Sequence, residues 1–201
     1  MVLSDDETTY AMYPFHFTVE IAYTLQDDTI LARCTIHNLS DSEMPYAIGG
    51  HPGFKLPLGG EGTFEDSYIE FDESFKAERL IFSDRGLLMR ETEPFAMEDG
   101  RRFPLSHGLF DRDAIFLTEV PKAVTLRSKA TAKSIRLQCD AMKYLGFWHP
   151  CGVDAPFVTI EPWTGVPAYE GIVDDLDTKR DMIRIPTGEK SEFSYSITIV
   201  Q

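Results

Sequence analysis

Residues 15–38, "FHFTVEIAYTLQDDTILARCTIHN", alternate in character with a period of two on both sides of a short acidic turn. Phe15, Phe17, Val19, Ile21, Tyr23 and Leu25 occupy one set of positions, with His16, Thr18, Glu20 and Thr24 among those between. In an extended chain successive side chains point to opposite faces, so this pattern predicts a strand with one apolar face and one polar face. Gln26-Asp27-Asp28 makes the turn, and the chain returns through Ile30, Ala32, Cys34 and Ile36 on alternate positions, which completes a β-hairpin. The same alternation recurs at 67–71, 114–118, 124–128, 134–139, 157–161 and 193–200, and no stretch holds a helical period for more than a turn or two. Turn-rich connections at 57–66, 91–108 and 161–181 link these runs, the last two long enough to be organised flaps. The expected fold is mainly β, an antiparallel sandwich with strongly curved sheets, in a single domain over residues 1–201.

Composition narrows the function. A net charge of -14 over 201 residues repels phosphate backbones, and no Lys/Arg cluster offers a local exception, so nucleic acid is not an expected partner. Cys34, Cys139 and Cys151 form an odd set without CxxC spacing, which argues against a disulfide framework and against a zinc site. They read as free thiols in a reducing compartment. The first residues, "MVLSDDETTY", are acidic where a secretion signal is basic and then apolar, and no run approaches the roughly 20 apolar residues of a membrane span. A cytoplasmic protein without a membrane partner is expected.

Two short segments carry chemistry. The first, "GGHPGF" (49–54), places His51 among Gly49, Gly50 and Gly53, residues that permit close backbone approach, with Phe54 as an apolar neighbour for the same site. The second, "TIEPWTG" (159–165), holds Glu161 at the end of an alternating strand, on the face of Phe157 and Thr159 and opposite Val158 and Ile160, with Pro162 expected to stop the ladder. Trp163 beside this carboxylate, and Trp148 in "LGFWHP", are aromatic plates of the kind that hold a sugar ring by its apolar face.

The segments "NLSDSEMPYAIGGHPGF" and "APFVTIEPWTGVP", with "ETTYAMYPFHF", "LSHGLFDRDAIF" and "PTGEKSEFSYSITI" in order along the chain, resemble the aldose 1-epimerase (galactose mutarotase-like) family. Within it the likeness is nearest to the branch that includes the X protein of lactose operons. The resemblance implies a β-supersandwich and a cofactor-free, metal-free interconversion of the α and β anomers of an aldose. It matches His51 to the family's general acid, Glu161 to its general base, and an aspartate of "LFDRDAIF" to its sugar-binding carboxylate, with Asp113 preferred and Asp111 the rival. It also implies that roughly the first third of the family's pattern, with an arginine and a histidine that contact sugar, has no counterpart here. A sandwich so shortened is expected to show a raw edge near "YPFHF" and to self-associate.

The residue types agree with that chemistry. Opening a pyranose removes the proton of the anomeric hydroxyl while the ring oxygen receives one, so an acid and a base must face one sugar from two sides. A carboxylate such as Asp113 close to His51 would favour the charged ring. A non-catalytic sugar-binding module on the same fold would keep Trp148, Trp163 and an aspartate without needing the His51/Glu161 pair. A metal-dependent small barrel is disfavoured because no His-x-His pair with a following Glu is present. His16 is expected in solvent, His107 and His149 in structural or solvated loop positions. Arg101, Arg102 and Arg112 are candidate phosphate partners or solvated charges, and the acidic chain leans towards a neutral sugar.

Overall fold

The structure, a computed structural model, describes residues 1–200. Eight strands form one antiparallel sheet in the spatial order β1 (Val2–Ser4), β2 (Phe17–Gln26), β3 (Thr29–Asn38), β16 (Lys190–Val200), β12 (Ser134–Gln138), β11 (Ala123–Ser128), β6 (Ser67–Phe71) and β9 (Arg102–Pro104). Six form a second sheet in the order β5 (Gly53–Lys55), β14 (Phe157–Trp163), β13 (Tyr144–Trp148), β10 (Ile115–Thr118), β7 (Glu78–Phe82) and β8 (Leu88–Pro94). A short pair, β4 (Met44–Tyr46) and β15 (Ile183–Ile185), stands apart. The α-helix α1 (Glu7–Met12) is capped by Asp6, whose carboxylate accepts the Thr9 amide at 2.8 Å.

The hairpin follows the sequence reading. β2 and β3 pair antiparallel with Ile21 opposite Cys34 and Gln26 opposite Thr29, and Asp27 takes the left-handed conformation (φ 52°) that a two-residue turn needs. The core lies between the two sheets. Ile69, Phe71, Val124, Leu126 and Leu137 of the first face Leu117, Leu145, Phe147, Val158 and Ile160 of the second, all fully buried. Phe71 and Phe103 meet Phe147 edge-on, at ring-centre distances of 6.4 and 5.2 Å.

Two expectations need correction. The border near "YPFHF" is not raw: β1 pairs with β2, and Tyr13 packs on the core with its hydroxyl donating to the Pro45 carbonyl. Nor is the apolar face of β2 buried throughout, because the second sheet covers only part of the first. Phe17, Val19 and Ile21 pack on the core, whereas Tyr23 and Leu25 are 62% and 73% exposed, next to exposed Ile199 on the same face. An apolar sheet face of this kind is sticky in water. We expect the chain to self-associate at micromolar concentration, and Tyr23→Thr with Leu25→Lys to reduce this. Light scattering that finds a monodisperse parent chain would refute the expectation.

Candidate active site

β14 carries the carboxylate. Its register against β13 puts Glu161 opposite Gly146 and Thr159 opposite Trp148. Val158 and Ile160 point into the core, which sends Thr159 and Glu161 to the outer face of the second sheet. Pro162 does not end the strand: β14 continues through Trp163, paired with Tyr144. The reason lies in strand geometry. The carbonyls of Glu161 and Trp163 face β13, and residues 160, 162 and 164 face the irregular segment 48–52. The missing Pro162 N–H therefore falls outside the β13 ladder.

That irregular segment positions the histidine. The Gly50 amide donates to the Pro162 carbonyl at 2.9 Å, and the Ile160 amide donates to the Pro52 carbonyl at 3.2 Å. His51 is the residue between these tethers, and its ring is brought to Glu161, with Nε2 to Oε1 at 3.1 Å. The His51 side chain is 59% exposed and that of Glu161 only 3%, so the carboxylate is reached past the histidine. Thr159 Oγ1 donates to the same Glu161 oxygen at 2.6 Å. Trp148 meets the His51 ring edge-on at 6.2 Å. Burial pushes the Glu161 carboxyl above its usual range, opposed by the Thr159 hydroxyl and by His51.

That shift has a stability consequence. A carboxyl with a raised folded-state pKa holds its proton in the native chain where the unfolded chain has released it. Its contribution is intact below the ordinary glutamate range, about pH 4.3, and is lost as pH rises through the folded-state value. The stability of Glu161→Gln relative to the parent is therefore expected to increase from pH 4 towards pH 7, since Gln accepts the Thr159 hydroxyl without a charge to desolvate. A pH-independent difference in melting temperature would refute this.

The glycines of "GGHPGF" have a different role from the one expected. A Cβ on Gly49 would lie 2.3 Å from Trp163 Cδ1, and one on Gly50 would lie 2.6 Å from Tyr195 Cε1. They admit these aromatic rings rather than a ligand, and none of the three glycines has positive φ. Phe54 is likewise displaced from the site: alternation in β5 turns it inward opposite Val158, where it is 7% exposed within the core. Trp163 is half-buried, packed on Gly49 and on Phe116 at 4.5 Å, and its indole borders the Glu161 face.

Asp111 and Asp113 precede β10, two strands from β14. They line a cavity of about 450 Å³ with Arg79, Arg112 and Cys151 that does not include His51 or Glu161. The ion-pair partner of His51 is Glu161 rather than Asp113. His149 is fully buried, with Nδ1 2.9 Å from the Phe157 carbonyl, and His107 stacks on Phe64 at 4.2 Å, which makes both structural. His16 is 57% exposed and pairs with Asp5. Arg101, Arg102 and Arg112 are engaged by Glu70, Asp99 and Glu93. Sequence reasoning missed Phe116 and the hydrogen-bonding role of Thr159. The i, i+2 spacing of Thr159 and Glu161 is a signal for the second, whereas Phe116 enters only through strand register.

An antiparallel two-sheet sandwich of this topology is a β-supersandwich of the galactose mutarotase-like class. The aldose 1-epimerase family model matches residues 1–176, and the chain belongs to that family. Protein LacX of Lactococcus lactis subsp. lactis is 32% identical over 192 residues, covering 94% of this chain and 64% of the relative. A galactose mutarotase related enzyme from Lactobacillus acidophilus superposes with a TM-score of 0.89 at 27% identity, covering 100% of this chain and 67% of that one. A galactose mutarotase-like protein from Lactobacillus casei gives 0.88 at 25% identity, covering 99% and 68%. The chain thus spans about two thirds of the length of these relatives.

Proposed function

We propose that the chain is an aldose 1-epimerase that interconverts the anomers of a neutral hexose, with Glu161 as base and His51 as acid. The observation that carries this reading is the contact between a buried carboxylate and an exposed imidazole on an aromatic-lined sheet face. The anomeric hydroxyl and the ring oxygen hang on one carbon, so their two partners must be close neighbours. Rotation of the exposed His51 opens the 3.1 Å contact and admits both oxygens.

Glu161 takes the proton of the anomeric hydroxyl as His51 gives one to the ring oxygen, and the ring C–O bond breaks to leave the open-chain aldehyde. Rotation about C1–C2 presents the other carbonyl face, and reclosure with the proton roles reversed yields the other anomer. A carboxyl desolvated as Glu161 is makes a stronger base than one in water. Trp148, beside His51, offers the ring an apolar plate, and Asp113 or Asp111 takes a hydroxyl at the far side. The test is polarimetry: fresh α-glucose or α-galactose should lose its optical rotation faster with the chain than with buffer at the same pH. A folded chain that binds sugar without accelerating this change would instead be a binding module.

A further inference from the structure

Asp113 has a backbone conformation that few residues other than glycine adopt, although aspartate enters it more readily than most. Its φ is 68°, in the left-handed region where a non-glycine residue is strained, and its amide donates to the Phe110 carbonyl at 3.0 Å. The carbonyls on either side of it share one donor. Arg79 Nη2 lies 3.2 Å from the Ala114 oxygen and 3.3 Å from the Arg112 oxygen. The Arg79 side chain is 11% exposed on β7, and its other nitrogen, Nη1, lies 3.9 Å from Glu93, which also pairs with Arg112 at 3.2 Å. A guanidinium this far from water is a costly placement unless its donors are paired, and here two of those pairings fall on the carbonyls that flank Asp113.

We propose that Arg79 is a positioning residue: by bridging the carbonyls that flank Asp113 it holds this residue in its strained turn and its carboxylate at the polar cavity, ready to accept hydroxyls of the sugar. The inference rests on the sugar-binding role given to Asp113 above. Arg79 itself touches no reacting atom. Its planar fork suits the task because one nitrogen carries two hydrogens, one for each carbonyl.

The experiment combines kinetics with amide hydrogen exchange on Arg79→Met, Arg79→Lys, Asp113→Asn and the double variant Arg79→Met/Asp113→Asn. Arg79→Met and Asp113→Asn should each raise KM about tenfold, the size of a lost hydrogen bond to a charged group, with kcat changed far less. The double variant should be no worse than either single one, because both remove the same interaction. Exchange at the Asp113 amide should accelerate in Arg79→Met, and Arg79→Lys, which keeps a donor, should recover part of both effects. An unchanged exchange rate in Arg79→Met, or KM effects that multiply in the double variant, would overturn the proposal. If the parent chain fails to catalyse mutarotation, the function proposed above falls. The clamp is then decided by exchange together with glucose and galactose titration calorimetry, and it too is overturned if Arg79→Met changes neither.

Discussion

Glu161→Gln and His51→Ala are each expected to lower the catalysed rate of anomer exchange by about two orders of magnitude or more, the usual worth of a positioned proton-transfer group. The two losses should arise differently. Gln keeps the shape of Glu161 and can still accept the Thr159 hydroxyl, now 2.6 Å away, so this variant removes basicity with little change in structure. Ala at 51 removes an exposed ring whose polar contact is with Glu161 but leaves the backbone tethers at Gly50 and Pro52 in place, so the fold should persist there too. Combined, the two substitutions should cost little more than either alone, since acid and base act in one concerted event. Polarimetry on variants that melt cooperatively, well above the assay temperature, checks this. Full activity in Glu161→Gln would end the assignment of Glu161 as base.

Gly146→Ala should damage both stability and activity, although it changes one hydrogen to a methyl group. Gly146 lies between Phe116 on β10 and Glu161 on β14 in a cross-strand row on the outer face. An added Cβ would be 2.5 Å from Phe116 Cε1 and 3.2 Å from Glu161 Cβ. Phe116 cannot move aside freely, because it is buried and packs on Trp163 at 4.5 Å and Phe82 at 5.5 Å. Overpacking of this kind costs about 1–3 kcal/mol, which in a chain of this size lowers the melting temperature by roughly 2–4 °C per kcal/mol. Pushing on the Glu161 Cβ should also disturb the contact with His51. Gly53→Ala is the control: its Cβ would meet nothing nearer than 3.9 Å, so it should stay within about 0.5 kcal/mol of the parent. The double variant Gly146→Ala/Phe116→Leu should recover stability if the ring is the obstacle. Thermal melts that find Gly146→Ala as stable as Gly53→Ala would refute this account.

Most of the strands legible in advance have one face buried and one wet, although β10, β11 and β14 also alternate in sequence and are buried on both faces. The hairpin β2–β3, β6, β12 and β16 all alternate, because each pairs a core-facing set with a set that meets solvent. β13, "YLGFW", has no alternation to read, since neighbours cover its outer face as well: Gly146 lies under Phe116, and Tyr144 donates to Asp181 at 2.7 Å. β8 failed for the opposite reason. It is an edge strand whose residues beyond Leu88 are mostly exposed, so little apolar pattern is imposed on it.

By itself the sequence determined the β character of the chain, its opening hairpin, and the two segments that hold His51 and Glu161, because alternation and turn chemistry are local properties. The tertiary structure decided everything that depends on which strand lies beside which. Antiparallel register placed the His51 tethers on either side of residue 161 and set Thr159 against its carboxylate. It turned Phe54 into the core, and it gave the glycines before His51 to Trp163 and Tyr195. Register is a relation between segments distant in sequence, so no single segment records it, and a shift of one residue would reverse every face.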